Sequence, residues 1–326
     1  MLQLSIPDKL FVDEYERTIL PDLIKRVKNG NNKVALSDDV KEILMPGYKS
    51  NPKTASERIL KELLTSLPEN LLRLHSQLGK DIKDVDTKNG SNDYDKLLTI
   101  FGYETVYNSK SKSKAYWLAR KIGRNTCTYC NRQYIFTVVR GEGNNKEERI
   151  TRPEFDHWFP KDEYPLLSMS LYNLIPSCHI CNSSAKGMTS PSLGKHIHPY
   201  VHPRGGLSFR FTASKTIESL PQWSIKIVRK EGSKEDETIK MFCLDEIYAM
   251  HNDLEVRDIM LFIERYRKEY IQDLCKNMLN DEDMPLTQSD VYRMLFGVDG
   301  SKNHILDRPL GKMKLDLLEE YGIRLI

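Results

Sequence analysis

The sequence Tyr172-Asn173-Leu174-Ile175-Pro176-Ser177-Cys178-His179-Ile180-Cys181-Asn182 ends in a Cys-x-x-Cys pair followed directly by an amide. A second pair, Cys127-Thr128-Tyr129-Cys130, lies upstream, and 47 residues separate the two pairs. Each pair places two sulfurs on one tight turn, and two such turns can close a tetrahedral site around a zinc ion. We therefore predict a structural zinc on four cysteines, and the alternative is buried thiols or two disulfides. The predicted zinc ligands are Cys127, Cys130, Cys178 and Cys181.

Two of the six cysteines fall outside these pairs. Cys243 and Cys275 lie in stretches with a helical pattern, and we expect both to be buried like other small apolar side chains. No function is assigned to either.

The segment between the cysteine pairs contains Phe155-Asp156-His157-Trp158-Phe159-Pro160. A carboxylate suits a hard divalent cation, and an imidazole can deprotonate water. An Asp-His pair alone is more often part of a turn or a satisfied hydrogen bond. Asn182 and Lys186, however, follow on a predicted helix at positions i and i+4, where an amide oxygen could complete a metal site and an ammonium could meet a phosphate.

Together these residues resemble the HNH endonucleases, whose ββα-metal core carries Asp-His-x-x-Pro, then Asn-Leu, then Cys-x-x-Cys-Asn-x-x-x-Lys-Gly. The matching stretches are Asp156–Pro160, Asn173-Leu174 and Cys178–Gly187. The resemblance covers residues from Cys127 to about Gly187. One position has Asn182 where many relatives have His, which leaves the metal preference open.

The resemblance implies a role for each matched residue. Asp156 and Asn182 would bind a catalytic Mg²⁺ or Mn²⁺, His157 would be the general base, and Asn173 would hold the active-site loop and orient that base. Water activated by His157 would attack phosphorus in line, leaving 5′ phosphates. Because neighbouring residues of a regular strand face opposite sides, Asp156 and His157 can both reach a phosphate only from a strand end or a bulge before Pro160.

The charge is unevenly distributed along the chain. Residues 105–217 carry 17 basic and 7 acidic side chains, whereas the rest of the chain has a net charge of −7. A basic segment with interspersed aromatic residues leads into the first cysteine pair and could follow a nucleic-acid backbone, although a solvated helix face is the alternative. Its basic residues are Lys110, Lys112, Lys114, Arg120, Lys121 and Arg124, and we predict phosphate contacts for the last three together with Lys186.

The fold expected from these patterns is α+β and mostly helical, with a zinc-stapled ββα-metal core between helical regions. We predict a helical region over 1–115, the core over 116–215, and short strands followed by helices over 216–326. Gly79–Asp95 is polar and predicts an exposed loop or boundary. Gln133–Arg140 predicts one strand of a hairpin whose second strand leads into Asp156.

The chain has 326 residues and 39% hydrophobic content, enough for one or two sizeable cores. No basic, apolar signal sequence opens it and no run of eighteen apolar residues occurs, so we expect a cytoplasmic protein that is not membrane-bound. A reducing compartment also favours thiolate-bound zinc over disulfides.

The resemblance favours a DNA endonuclease, and bacterial proteins of similar build look like nuclease effectors of anti-phage defence, such as the HNH subunit of Septu-like pairs. Because the chain has no Gly-x-x-x-x-Gly-Lys-Ser/Thr motif, nucleotide-driven sensing would need an ATPase partner. The alternatives are a nuclease that acts on RNA and a zinc-stapled module that binds nucleic acid or protein without catalysis.

Overall fold

The computed structural model describes residues 1–107, 114–141, 148–187, 189–201, 206–217, 221–266, 269–270, 273, 276–277, 286–298 and 304–323. Within these ranges the protein is mostly helical and contains three two-stranded antiparallel sheets. The predicted α+β class is therefore confirmed, and a buried group of four cysteines lies beside one of the sheets.

The described N-terminal part consists of helices, two of which are much longer than the others. The cap of the first helix is Asp8, whose carboxylate accepts a hydrogen bond from the Phe11 amide at 2.8 Å. Tyr15 of the same helix is fully buried and donates its hydroxyl hydrogen to the Met169 carbonyl at 2.6 Å, which ties the helices to the segment described below. The helices are α1 (Lys9–Asn29), α2 (Asp38–Leu44), α3 (Arg58–Thr65), α4 (Pro68–Asn89), α5 (Asp93–Ile100), α6 (Tyr103–Tyr107) and α7 (Lys114–Ile122).

The predicted loop over Gly79–Asp95 is wrong, because α4 continues to Asn89 and α5 begins at Asp93. The helix persists because Leu78 and Ile82 are buried on one face while polar side chains cover the other. Asp86 then accepts hydrogen bonds from the backbone amides of residues 93 and 94, both at 2.8 Å, and so fixes the turn into α5.

A short hairpin follows α7. Strand β1 (Val138–Arg140) pairs with β2 (Glu148–Thr151), so the predicted strand over Gln133–Arg140 is present only at its end. The prediction that this hairpin runs on into Asp156 is wrong. Pro153, which has no backbone N–H, separates β2 from the next strand, and that strand pairs elsewhere.

The motif-bearing strand is β3 (Glu154–His157), which pairs with β4 (Leu174–Ser177). The connection between them, the β3–β4 loop, covers residues 158–173 and contains 3₁₀ turns at Pro165–Leu167 and Leu171–Asn173. One turn of π-helix, Ile180–Ala185, follows β4 and is called the π-turn below. The order along the chain is thus strand, loop, strand and helical turn.

The C-terminal part begins with a longer hairpin, β5 (Arg210–Ile217) with β6 (Pro221–Val228). Trp223, Ile225 and Ile227 are buried and alternate with more exposed residues, so one face of the hairpin lies on the core. The described helices that follow are α8 (Lys234–Met241), α9 (Leu244–Ala249), a π-helical turn (Asn252–Val256), α10 (Arg257–Arg265), α11 (Gln288–Phe296), a 3₁₀ turn (Ile305–Asp307) and α12 (Gly311–Glu320).

The expected burial of Cys243 is wrong, because this side chain is exposed. Cys243 joins α8 to α9 with φ of 49°, in the left-handed region, and this turn directs the thiol away from the core. Cys275 lies outside the described residues.

Buried apolar side chains from the helices, the cysteine segment and the C-terminal hairpin form one continuous cluster. It includes Tyr15 of α1, Trp158 of the β3–β4 loop, Phe211 of β5 and Leu317 of α12. A smaller cluster packs around Phe296 and Leu318. The domain boundaries inferred from the sequence stay predictions.

Candidate functional site

The four predicted zinc ligands come together in the structure. Their sulfur atoms all lie within 4.8 Å of one another, all four side chains are buried, and none forms a disulfide. In a tetrahedral site with zinc–sulfur distances of about 2.3 Å, neighbouring sulfurs lie about 3.8 Å apart. The cysteine cluster (Cys127, Cys130, Cys178 and Cys181) therefore needs only a small contraction to hold one zinc ion.

Backbone amides point at three of the sulfurs. The amide of Cys178 lies 3.3 Å from Cys127 Sγ, that of Arg132 lies 3.4 Å from Cys130 Sγ, and that of Cys181 lies 3.5 Å from Cys178 Sγ. Amide donors of this kind stabilise thiolates and orient metal ligands. Burial raises the pKa of the Cys127 thiol, and a bound cation would hold this buried sulfur as a thiolate. The donor set fits a structural zinc.

Asn131, directly after the first cysteine pair, connects the cluster to the end of the chain. It has φ of 49° and is fully buried. Its backbone carbonyl accepts from the Leu310 amide at 2.6 Å, and its side-chain nitrogen donates to the Arg308 carbonyl at 3.1 Å. The conformation of the first cysteine turn therefore positions α12, which begins at Gly311.

A cleft of about 480 Å³ opens next to the end of β3. Asp156, His157, Asn182 and Lys186, which the sequence singled out, all line it. His157 is the last residue of β3, as the strand-end prediction requires, so two neighbours in the chain can face one cavity. The wall is completed by Tyr103, Glu104, Phe155, Pro160, Lys161, Asp162, Glu163, Gly187, Thr189 and Ser190.

Asp156 is buried, with 4% of its surface exposed, and both carboxylate oxygens are engaged. Lys186 Nζ lies 2.9 Å from Oδ1 and 3.0 Å from Oδ2, and the Tyr129 hydroxyl donates to Oδ2 at 2.6 Å. Tyr129 lies between the two cysteines of the first pair and stacks on Phe242 with ring centroids 4.1 Å apart. The cysteine cluster and the carboxylate of the cleft are thus joined by one side chain.

The His157 ring is held by a backbone carbonyl. Its Nε2 lies 2.9 Å from the backbone carbonyl oxygen of Ser168. The ring packs edge-on against the Tyr103 ring, with 5.1 Å between the ring centroids. A carbonyl oxygen only accepts, so Nε2 carries the proton and Nδ1 is left as the acceptor. Burial lowers the pKa of His157, against the opposing effects of the Ser168 carbonyl and Asp156. The ring is therefore neutral and can take up a proton at Nδ1.

Asn173 has no exposed surface and is hydrogen-bonded across the β3–β4 loop. Its side-chain oxygen accepts from the Phe159 amide at 2.6 Å, while its nitrogen donates to the Phe159 carbonyl at 3.1 Å and the Leu167 carbonyl at 3.0 Å. Leu167 directly precedes Ser168, whose carbonyl binds His157. Asn173 therefore joins three points of the β3–β4 loop, and the contact with the imidazole is made by Ser168.

Asn182 lies in the π-turn and is half-buried. Its amide nitrogen donates to Glu154 Oε2 at 2.8 Å, so the amide oxygen is the ligand atom that Asn182 can offer. The other oxygen of Glu154 contacts His179 Nδ1 at 2.8 Å. Asn182 within the π-turn and Lys186 directly after it both line the cleft, and single turns of π-helix recur at functional sites.

The predicted phosphate contacts divide into two groups. Lys186 lines the cleft but is 7% exposed and bound to Asp156, whereas Arg120, Lys121 and Arg124 do not line the cleft. Lys121 pairs with Glu14 at 2.7 Å, and Arg124 Nε donates to the Thr126 carbonyl at 3.2 Å. Lys121 and Arg124 line a separate cavity of about 190 Å³, and the exposed Arg120 directly precedes Lys121 on α7.

The described part of the predicted basic segment gives no further cation to the cleft. Lys114 is engaged, since its Nζ lies 2.5 Å from Asp22 Oδ2. Lys110 and Lys112 lie outside the described residues. The phosphate contacts of this segment stay a prediction.

Sequence reasoning missed three groups that hold the site: Tyr129, Glu154 and the Ser168 carbonyl. Glu154 could have been found, because residues i and i+2 of a strand share a face and Glu154 precedes Asp156 by two. Tyr129 is indicated less strongly by the sequence, because its only sign is its position between the two cysteines of a pair. A backbone carbonyl carries no sequence signal, so only the fold of the loop reveals Ser168.

Comparison of the chain with protein-family models, with curated proteins and with solved structures finds no match, so no family is identified in this way. None of the described helices is long and apolar enough to cross a membrane. The geometry of the cleft and the cysteine cluster is therefore the basis for any assignment.

Proposed function

We propose that this protein is a metal-dependent endonuclease of the HNH type that hydrolyses phosphodiester bonds in DNA. The observation that supports it best is the meeting of Asp156, His157 and Asn182 in one cleft beside the cysteine cluster. These residues lie on a strand end and a helical turn, separated by a second strand, which is the order of a ββα-metal element.

His157 is the general base in this proposal. Its Nδ1 removes a proton from a water molecule in the cleft while Nε2–H stays on the Ser168 carbonyl, which keeps the ring in the required tautomer. The oxygen of that water forms a bond to phosphorus, and the bond from phosphorus to the 3′ oxygen breaks on the opposite side. Asn173 contributes indirectly, because it holds the loop that carries Ser168.

Asp156 and Asn182 would hold a divalent cation such as Mg²⁺ or Mn²⁺. When bound, such a cation stabilises the negative charge that develops on the phosphate and on the leaving oxygen. Two further residues hold these ligands in position. Tyr129 holds the Asp156 carboxylate, and Glu154 binds the nitrogen of the Asn182 amide and so directs its oxygen.

The zinc ion proposed for the cysteine cluster is structural, because all four ligands come from the protein and a tetrahedral site leaves no position for substrate. Its function would be to fix Tyr129 and the start of the π-turn relative to β3. Asp156 and Asn182 lie on elements that the two cysteine turns join, so loss of zinc would separate the two cation ligands.

A nucleic acid is the proposed substrate because residues 105–217 have a net charge of +10, and DNA is proposed within this class because of the resemblance to HNH endonucleases. RNA carries the same phosphate charge, so charge does not separate the two polymers. A parallel assay on matched DNA and RNA duplexes decides between them.

The test is cleavage of supercoiled plasmid by zinc-loaded wild-type protein, His157→Ala and His196→Ala, each with Mg²⁺, Mn²⁺ or EDTA. His196 is a matched control, because it is half-buried and does not line the cleft. We expect metal-dependent nicking by the wild type and His196→Ala, and a loss of at least 100-fold in His157→Ala with zinc content unchanged. Equal nicking by His157→Ala would refute the assignment of the base.

One observation favours a second candidate, a zinc-stapled binding module without catalysis. The Asp156–Lys186 ion pair is buried and occupies the carboxylate that a catalytic cation would need. If the pair is only structural, none of the three proteins cleaves DNA or RNA with any metal, and His157→Ala leaves nucleic-acid affinity unchanged.

The defence role and the ATPase partner rest on the resemblance alone and are proposed on that ground. Purification of a chain that is fully active in cells without any partner would count against both.

A further inference from the structure

The ammonium group of Lys186 has an unusual environment for a side chain in a cleft. Its Nζ lies 2.9 Å from Asp156 Oδ1, 3.0 Å from Asp156 Oδ2 and 2.9 Å from the His157 carbonyl oxygen. These three oxygens match its three donors, and only 7% of the residue is exposed. The ammonium is thus coordinated by the protein much as a small cation is.

The local backbone shows that this position is built into the fold. Lys186 follows the last residue of the π-turn, and Gly187 after it has φ of 55°, so the helical turn ends directly after Lys186. Tyr129 holds the carboxylate from the side of the cysteine cluster. Both partners of the ion pair are therefore positioned independently of each other.

A divalent cation and this ammonium cannot both occupy the side of the Asp156 carboxylate on which Lys186 now lies. Mg²⁺ binds carboxylate oxygens at about 2.0–2.1 Å, so a cation on that side would lie within about 3 Å of the ammonium. Two positive charges at that separation in a poorly hydrated site repel each other strongly. The divalent cation can therefore bind there only if the Lys186 ammonium leaves. The flexible side chain of lysine allows this movement.

We infer that Lys186 is an internal cation that occupies the site of the catalytic metal, and that a divalent cation binds only by displacing it from Asp156. This inference rests on the proposed function and adds a regulatory step to it. The cleft has room for the displaced ammonium, and its wall carries Asp162 and Glu163 as alternative partners. A bound phosphate would be a further partner for the displaced ammonium. Metal and substrate would therefore both favour the state in which Lys186 has left Asp156.

The first experiment measures Mn²⁺ binding to zinc-loaded protein by the electron paramagnetic resonance signal of the free ion. Lys186→Met is compared with wild type and with Lys161→Met, which removes the same charge from the same cleft. Asp156→Asn removes the proposed ligand. We expect Lys186→Met to bind Mn²⁺ on the order of tenfold more tightly, and Lys161→Met to change the affinity less than about threefold.

The second experiment needs no substitution at Lys186. Reductive methylation of the wild-type protein, followed by mass spectrometry of peptides, reports the accessibility of each lysine amine. We expect Lys186 to be protected without Mn²⁺ and to react at least about fivefold faster at saturating Mn²⁺, while the rate for Lys161 changes less than about twofold.

The outcomes separate this inference from the proposed function. If Lys186→Met binds Mn²⁺ no better than wild type, or if Lys186 stays protected at saturating Mn²⁺, displacement is wrong although the metal site stands. If Asp156→Asn binds Mn²⁺ as well as wild type does, or if neither wild type nor Lys186→Met binds Mn²⁺ at millimolar concentration, the catalytic metal site itself is wrong. Should Lys186→Met fail to fold, the methylation result decides alone.

Discussion

The side chain of Asn173 offers a direct test of how the β3–β4 loop is held. It is fully buried and forms three hydrogen bonds, one as acceptor from the Phe159 amide and two as donor to the carbonyls of Phe159 and Leu167. Asn173→Asp keeps the size and the acceptor but replaces both donor hydrogens with a carboxylate oxygen. Two carbonyl oxygens would then face negative charge without a partner.

The expected cost follows from counting these contacts. Each buried carbonyl left without a donor costs about 1–3 kcal/mol, so Asn173→Asp should lower the free energy of unfolding by about 2–6 kcal/mol. Asn173→Ala loses three hydrogen bonds of about 1 kcal/mol each and leaves a small void, which gives a loss of about 3 kcal/mol or more. Because Leu167 adjoins Ser168, the His157 ring should also lose its fixed orientation.

The measurement is urea unfolding of zinc-loaded protein followed by circular dichroism, together with plasmid cleavage under conditions where each variant remains folded. Asn92→Ala is the matched control, since Asn92 is exposed and its side chain does not cap α5. We expect the control to change stability by less than about 0.5 kcal/mol. If Asn173→Asp is as stable as wild type, the loop is not held by these bonds.

Three further results are expected. Tyr129→Phe removes only the hydroxyl that donates to Asp156, and it should lower the free energy of unfolding in urea by about 2 kcal/mol with zinc content unchanged. An unchanged free energy of unfolding would show that the bond contributes nothing. Removal of zinc by a strong chelator should lower the melting temperature by more than about 10 °C and abolish cleavage, and added zinc should restore both; a chelated protein that melts like the holo form contradicts a structural zinc. Burial lowers the pKa of His198 to about 3, so its neutral form stabilises the folded state above pH 6.5 and this stability is lost as pH falls. Wild type should lose about 2 kcal/mol between pH 7 and pH 5 from this group, His198→Gln should lose less over that interval, and equal losses would contradict the shift.

Much of the candidate site could be predicted from local spacing. The two Cys-x-x-Cys pairs predicted a four-sulfur cluster, and the sulfurs do lie within 4.8 Å of one another. The Asp-His tract, Asn173 and Asn182 were identified as one group, and the structure places them around one cleft and its loop. Spacing succeeds here because two residues in one turn, or four apart on a helix, have little freedom in their relative positions.

Local pattern failed where neighbours in space decided the outcome. Gly79–Asp95 is polar enough to suggest a loop, yet it is mostly helix because the stripe with Leu78 and Ile82 packs on the core. Cys243 belongs to an apolar helical pattern, but the left-handed turn between α8 and α9 exposes it. In both cases packing and backbone geometry outweighed residue type.

The sequence by itself determined the cysteine cluster, the mainly helical class and four of the residues that line the cleft. Only the tertiary structure decided that β3 pairs with β4, that Ser168 orients His157, and that Lys186 lies on Asp156. The physical reason is separation along the chain. Lys186 and Asp156 are 30 residues apart, and their contact depends on the strand pairing and the cysteine cluster that bring the two segments together, which no local preference specifies.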